Sequence, residues 1–196
     1  VSAVWAGEVP PPQPAEVSQP GAQTPLAALA ARFNAVQTIR SRFVQEKQMA
    51  MLTEPLVSTG SFVFTRTPAQ LRWEYQTPFQ NGFLITDGQS FRLDKGQKQP
   101  LKNKLATQVA QQMFVWLAFD VQTLSKTYRL EPFDGGMKLT PLAAKNSPVA
   151  AISVWFAPDN PQAVSRIEMT EANGDKTVLR FSDTHINEPL PAGAFE

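Results

Sequence analysis

Cysteine is absent from this 196-residue chain, and histidine occurs once, at His185. Without thiols there is no disulfide, no thiolate metal site, no cysteine nucleophile and no lipid anchor attached through an N-terminal Cys. With one imidazole, a Ser-His-Asp triad would have to be built on His185. That residue ends the run Asp183-Thr184-His185 at the close of a strand-like segment, and no Gly-x-Ser-x-Gly elbow occurs. A surface or edge histidine is the plainer reading. Only an all-oxygen metal site is left open, and calcium-loop spacing is missing; Glu168, Glu171 and Asp175 read as solvent-facing residues of a hairpin. The glycines at 82, 88, 135, 136 and 174 are scattered over turns and are not gathered into a phosphate-cradling loop. The formal net charge is +1, without a block of like charge, which argues against nucleic acid and against a polybasic membrane anchor. No apolar run approaches the ~18 residues of a bilayer span, so a soluble protein is expected. No catalytic residue, no metal and no cofactor is assigned.

What the chain has is apolar bulk: 42% hydrophobic residues, 13 of the 196 being Phe. That suits one domain with a core, or a core plus an apolar cavity. Val1-Ser2-Ala3-Val4-Trp5-Ala6 reads as the end of a secretory h-region, with small residues placed for cleavage before Gly7. Pro10, Pro11, Pro12, Pro14 and Pro20 then make a stretch that supports neither helix nor ladder. Residues 1–23 are therefore expected to be a signal remnant and Pro-rich leader, and residues 24–196 a single domain.

That domain opens with Thr24-Pro25, an N-cap and first-turn pair, followed by Leu26, Leu29, Ala30 and Phe33 at helical spacing. The period then changes to two. Strands are expected from Ile39 toward Met49, then at 58–66, 70–76, 83–87 and 90–94, the last two joined by Asp87-Gly88. The clearest is Leu71, Trp73 and Tyr75 alternating with Arg72, Glu74 and Gln76. Between 101 and 118, Leu105, Val109, Met113, Trp116 and Leu117 form a helical stripe, and a short turn follows at 120–124. Strands resume at 127–133, 137–142, 150–157, 163–171 and 176–185. About ten strands and two or three helices in meandering order make a mainly β, α+β protein. Helices that interrupt an antiparallel meander cover a face or an opening of it.

Aromatic and large apolar residues recur on the strand faces: Phe43, Phe62, Phe64, Leu71, Trp73, Tyr75, Phe83, Phe91, Trp155 and Phe181. Such faces either pack as a core or wall a cavity. The number of large side chains against few helices, and an amphipathic helix with Met113 and Trp116 placed mid-meander as a cover, favour a cavity.

Three segments carry a family resemblance: Ile39-x3-Phe43-x-Gln45, Gly60-Ser61-Phe62-Val63-Phe64, and Pro68-x2-Leu71-Arg72-Trp73-x-Tyr75-x2-Pro78. Together they resemble the LolA family of lipoprotein carriers. Asp87-Gly88 fits the following hairpin, and the tail Ile186-Asn187-x-Pro189-Leu190 with Phe195 extends the likeness over roughly residues 26–196. The resemblance implies an unclosed antiparallel half-barrel of about eleven strands covered by helices. It further implies a periplasmic carrier and chaperone, a monomer, whose cargo is the acyl chains of a lipoprotein or lipid. An inner-membrane protein would donate that cargo and an outer-membrane acceptor would receive it. On this reading Phe43, Phe62, Phe64, Leu71, Trp73, Tyr75, Phe83 and Phe91 line the cavity. Leu29, Phe33, Leu105, Val109, Met113, Trp116 and Leu117 form the lid. The family places an Arg directly before the signature Pro to bond the lid helices. Here that position is Thr67, with Arg66 one residue earlier, so either Arg66, through a bulge, or Thr67 takes the latch role, or the latch is lost. Glu196 also falls where the family usually continues into a further strand.

The alternatives are a binding or sensor module on the same fold that does not transport, and a hydrolase with an unusual site. If the odd-numbered face of 71–75 lines the cavity, Leu71→Glu or Trp73→Glu abolishes uptake of a fluorescent acyl probe by a folded protein; normal uptake contradicts the assignment.

Overall fold

The computed structural model describes residues 25–101, 116–143, 145 and 147–196. The leader over 1–23 and the lid positions Leu105, Val109 and Met113 lie outside the described residues.

Helix α1 (Pro25–Asn34) buries Leu29 and Phe33, four residues apart and so on one face. Six strands follow: β1 (Thr38–Gln48), β2 (Leu56–Thr65), β3 (Gln70–Thr77), β4 (Asn81–Thr86), β5 (Gln89–Asp94) and β6 (Gln97–Pro100). Residues 116–118 are helical, and α2 (Val121–Thr127) leads into β7 (Tyr128–Phe133). The chain ends with β8 (Gly136–Pro141), β9 (Val149–Phe156), β10 (Val164–Glu171) and β11 (Lys176–Ile186). Ten of these strands coincide with runs of alternating polarity. The exception is β6, Gln97-Lys98-Gln99-Pro100, a short polar edge strand with no apolar residue to mark it.

All eleven strands form one antiparallel sheet in the order β6-β5-β4-β3-β2-β1-β11-β10-β9-β8-β7. Its edges, β6 and β7, do not pair with each other, so the sheet is an open half-barrel. Two meanders, β1–β6 and β7–β11, are joined solely where β1 pairs with β11. A bulge at Arg40/Arg42 sits in that seam. There the buried Ser41 hydroxyl donates to the Ser182 carbonyl at 3.0 Å and bonds the Thr184 hydroxyl at 2.7 Å. The curl is strong. Tyr75 on β3 and Tyr128 on β7 are seven strands apart, more than about 30 Å on a flat sheet, yet both wall the same cavity.

The inner face carries two packed clusters. On the β1–β4 wing, Phe43, Phe62, Phe64, Leu71 and Trp73 pack with Leu117 and Ala118. On the other wing, Phe119, Leu124, Met137, Ile152 and Ile167 pack with Leu29 and Phe33 of α1. Leu179 and Phe181 of β11 touch both, which makes the seam strand part of each.

One glycine is dictated by this packing. Gly60 sits opposite Phe43 in β1 and Tyr75 in β3, and a Cβ there would collide with the Glu74 carbonyl oxygen and the Phe43 ring. The glycine that begins the Gly60-Ser61-Phe62 run thus makes room for the stacked aromatics. Gly60→Ala is expected to cost about 1–3 kcal/mol, read as a lower denaturant midpoint with an unchanged slope; an unshifted midpoint would contradict this packing account.

Candidate functional site

At the end of the half-barrel where β1 finishes and β11 starts, the inner face opens into a cavity of about 570 Å³. This lies within the ~300–1,000 Å³ usual for small-ligand sites. Its described wall is drawn from both wings: Tyr75, Tyr128, Pro141, Val149, Met169 and Leu179, with Trp116 from the helical segment. Polar groups are few. Gln45, Thr177 and Glu171 step across β1, β11 and β10 towards the lip, and the Lys47 ammonium pairs with Glu171 at 3.0 Å. The described charges at this lip are therefore matched, and the rest of the wall is largely apolar. Exposed apolar side chains surround the same end: Met51, Leu52, Leu56 and Val57 around the β1–β2 connection, Phe79 between β3 and β4, and Leu142 after β8.

At the opposite end stands Arg66, just beyond β2. Its Nε donates to the Val36 carbonyl at 2.8 Å, and its Nη2 donates to the carbonyls of Phe33 at 2.9 Å and Ala118 at 2.8 Å. Phe33 and Ala118 lie at the C-terminal ends of α1 and of the 116–118 segment, where carbonyls lack intrahelical partners and a cation is favoured. Burial lowers the guanidinium's pKa while Asp120 acts the other way, and the group stays charged. Asp120 caps α2, accepting from the amides of Gln122 at 3.1 Å and Thr123 at 3.2 Å. Burial would raise its carboxyl, but the Thr123 hydroxyl, these two amides and Arg66 together hold it below the ordinary range. One arginine thus ties two helix ends to the sheet. Thr67 is exposed.

The other expected site residues are distributed unevenly. Tyr75 and Trp116 line the cavity. Phe43, Phe62, Phe64, Leu71 and Trp73 do face inward, but they are packed core in this structure: Trp73 is 0% exposed, with the Phe43 ring 4.1 Å and the Phe62 ring 5.3 Å from its own. Phe83 stacks on the far side of Trp73 at 6.4 Å. Leu29 and Phe33 of α1 and Leu117 of the 116–118 segment are buried. Phe91 is a correction. It pairs with Leu84, which pairs with Arg72, so it stands on the outer face, where Lys98 lies 4.4 Å over its ring. Its strand alternates, but the register between β4 and β5 decides the face. Trp155 is outside for the same reason, opposite Gly136 and Arg166, with the Arg166 guanidinium 4.7 Å over its ring. His185 is on the outer surface between Asp183 (3.0 Å) and Glu188 (2.9 Å), whose hydrogen bonds raise its pKa.

The sequence reading missed Gln45 and the C-terminal contribution, Met169, Thr177 and Leu179. A partial signal was present: Ile167-Glu168-Met169 alternates as 71–75 does, but Val178 beside Thr177 and Leu179 blurs the pattern on β11.

Comparison with known proteins matches this architecture. Residues 34–196 fit the family described as outer membrane lipoprotein carrier protein LolA. The outer-membrane lipoprotein carrier protein of Cupriavidus taiwanensis is 31% identical over 169 residues, 82% of this chain and 77% of that protein. Its counterpart in Ralstonia nicotianae is 31% identical over 173 residues, 82% of this chain and 76% of that protein. Among solved structures, the LolA superfamily protein NE2245 from Nitrosomonas europaea superposes with a TM-score of 0.49 at 13% identity, over 86% of this chain and 96% of that one.

The chain's two tyrosines, Tyr75 and Tyr128, both belong to the cavity wall. Burial raises both phenols above their ordinary value, opposed in part by Trp73 and Gln45 for Tyr75 and by Trp116 for Tyr128. Because the folded state disfavours phenolate, stability is untouched below the unfolded pKa of about 10 and falls as pH rises beyond it. Phenolate absorbance of the native protein should therefore rise at higher pH than that of the denatured chain; coincident titrations would contradict a closed apolar wall. Leu71→Glu and Trp73→Glu are now expected to lower stability first, since each places a carboxylate in packed core.

Proposed function

Because the chain belongs to the LolA family of outer membrane lipoprotein carrier proteins, we propose that it carries acyl chains through the periplasm inside its half-barrel. The observation that supports this most is the apolar cavity of about 570 Å³ bounded by both wings of one curled sheet. Each buried CH₂ is worth about 0.8 kcal/mol, so a long acyl chain does not cross water unaided, and an apolar interior supplies what the journey lacks. The cargo is the lipid-modified end of a lipoprotein, taken from an inner-membrane donor and passed to an outer-membrane acceptor. The exposed apolar side chains Met51, Leu52, Leu56, Val57 and Phe79 beside the cavity offer a surface for both exchanges.

Carriage also requires release. Arg66 is the latch on this reading: while its three hydrogen bonds hold, Leu117 and Ala118 stay packed over Phe43, Phe62, Leu71 and Trp73. Breaking them frees α1 and the 116–118 segment and opens the aromatic face to cargo, so the closed protein has a filled core and the loaded one a larger cavity. Charged-group hydrogen bonds are worth roughly 1.5–3 kcal/mol each, so one guanidinium is sufficient to bias the balance.

The test is the uptake and release of a fluorescent fatty acid by stopped flow. The wild type should bind it, and Arg66→Leu should release it faster from a less stable protein. An unchanged release rate argues against the latch, and a wild type that binds no probe argues against carriage.

A further inference from the structure

Within the apolar wall, one polar pair has a defined orientation. The Tyr75 hydroxyl donates to Gln45 Oε1 at 3.0 Å, which joins β3 to β1 across the intervening β2. With its oxygen committed to Tyr75, the Gln45 amide turns its Nε2 donors away from that hydroxyl. Among the described residues the Gln45 side chain bonds through Oε1 alone, and Gln45 is a half-buried wall residue of the cavity. Leu179 opposite it on β11 and Met169 on β10 present no oxygen acceptor, while the Thr177 hydroxyl lies two residues nearer the lip. The described ammonium and carboxylate at the lip, Lys47 and Glu171, are spent on each other. A neutral donor held in orientation at an apolar wall is complementary to a neutral acceptor.

We infer that Gln45, oriented by Tyr75, is an anchor for the acyl carbonyl of the cargo, the ester or amide C=O that links the hydrocarbon chain to the rest of the molecule. The inference rests on the carrier reading and deepens it: the cavity recognises a carbonyl-linked chain and not hydrocarbon alone. Gln45 lies on β1 level with Leu179, two residues from Lys47 and its partner Thr177 at the lip, and Tyr128 and Trp116 belong to the same wall. On this inference a chain with its carbonyl at Gln45 leaves its polar end towards the lip.

The test displaces a bound fluorescent hydrocarbon with three probes of similar length: methyl palmitate (ester), N-methylpalmitamide (amide) and heptadecane (no carbonyl). One net hydrogen bond corresponds to roughly a three- to tenfold preference, so the wild type should bind at least one carbonyl probe that much tighter than heptadecane. Gln45→Glu keeps an acceptor for the Tyr75 hydroxyl but replaces the donor; it should bring the preference within about twofold, read as the ratio of carbonyl probe to heptadecane within the same variant. Tyr75→Phe, which preserves the ring packing, should reduce the same preference and serves if the first variant folds poorly. A stronger ester preference points to a glycerol-linked chain and a stronger amide preference to an N-linked one. Equal binding of all three probes by the wild type, or a preference that survives both substitutions, overturns the anchor while leaving carriage intact. Binding of none of the probes overturns the carrier reading itself.

Discussion

β1 lies between β2 and β11, and its two hydrogen-bonded edges are what make one sheet of two meanders. Everything functional depends on that seam. The cavity takes Tyr75 from one wing and Tyr128, Val149 and Met169 from the other, with Gln45, Thr177 and Leu179 on the seam strands themselves. Without β1–β11 pairing there would be two open meanders, each exposing an apolar face. The pairing is non-local, joining residues near 40 to residues near 185, so the cavity forms only once almost the whole chain is in place. The bulge at Arg40/Arg42, stitched by Ser41, Ser182 and Thr184, increases twist where the sheet curls most usefully.

A carrier for apolar chains faces a constraint that an ordinary core does not. A filled core is stable and a large permanent void is not, because lost contacts around a cavity cost free energy in proportion to its size. The protein divides the problem. Both wings are packed in part, around Trp73 on one and around Ile152 on the other, and a space walled by both is left at the end where β11 starts. At the opposite end Arg66 bonds three carbonyls of the helical segments and their connection. Cargo would then exchange with packing: chains entering under the cover replace the contacts that Leu117 and Ala118 give up.

Much of this was legible in the sequence. Alternation such as Leu71-Arg72-Trp73-Glu74-Tyr75 reports which side chains share a face, and ten strands were found that way. The polar β6 carried no such signal. Alternation does not say which of the two faces is concave, because that depends on register with the next strand; Phe91 and Trp155 accordingly sit outside. Nor does it distinguish filled space from empty space. Phe43, Phe62 and Trp73 fill the interior by stacking on one another, while the opening is walled by Tyr75, Tyr128 and Trp116 together with smaller side chains such as Val149 and Thr177. The latch lay between Arg66 and Thr67 on sequence alone, since either could be turned inward at the strand end; in the fold it is Arg66 that meets the three carbonyls.

The account stands on acyl chains occupying this interior, and native mass spectrometry of the protein purified from its host's periplasm, followed by lipid extraction, tests that most directly. The account predicts a mass increment that extraction identifies as an acyl-bearing molecule. A protein that arrives with no increment and takes up no added fatty acid would contradict it, and would recast the half-barrel as a surface for binding other proteins.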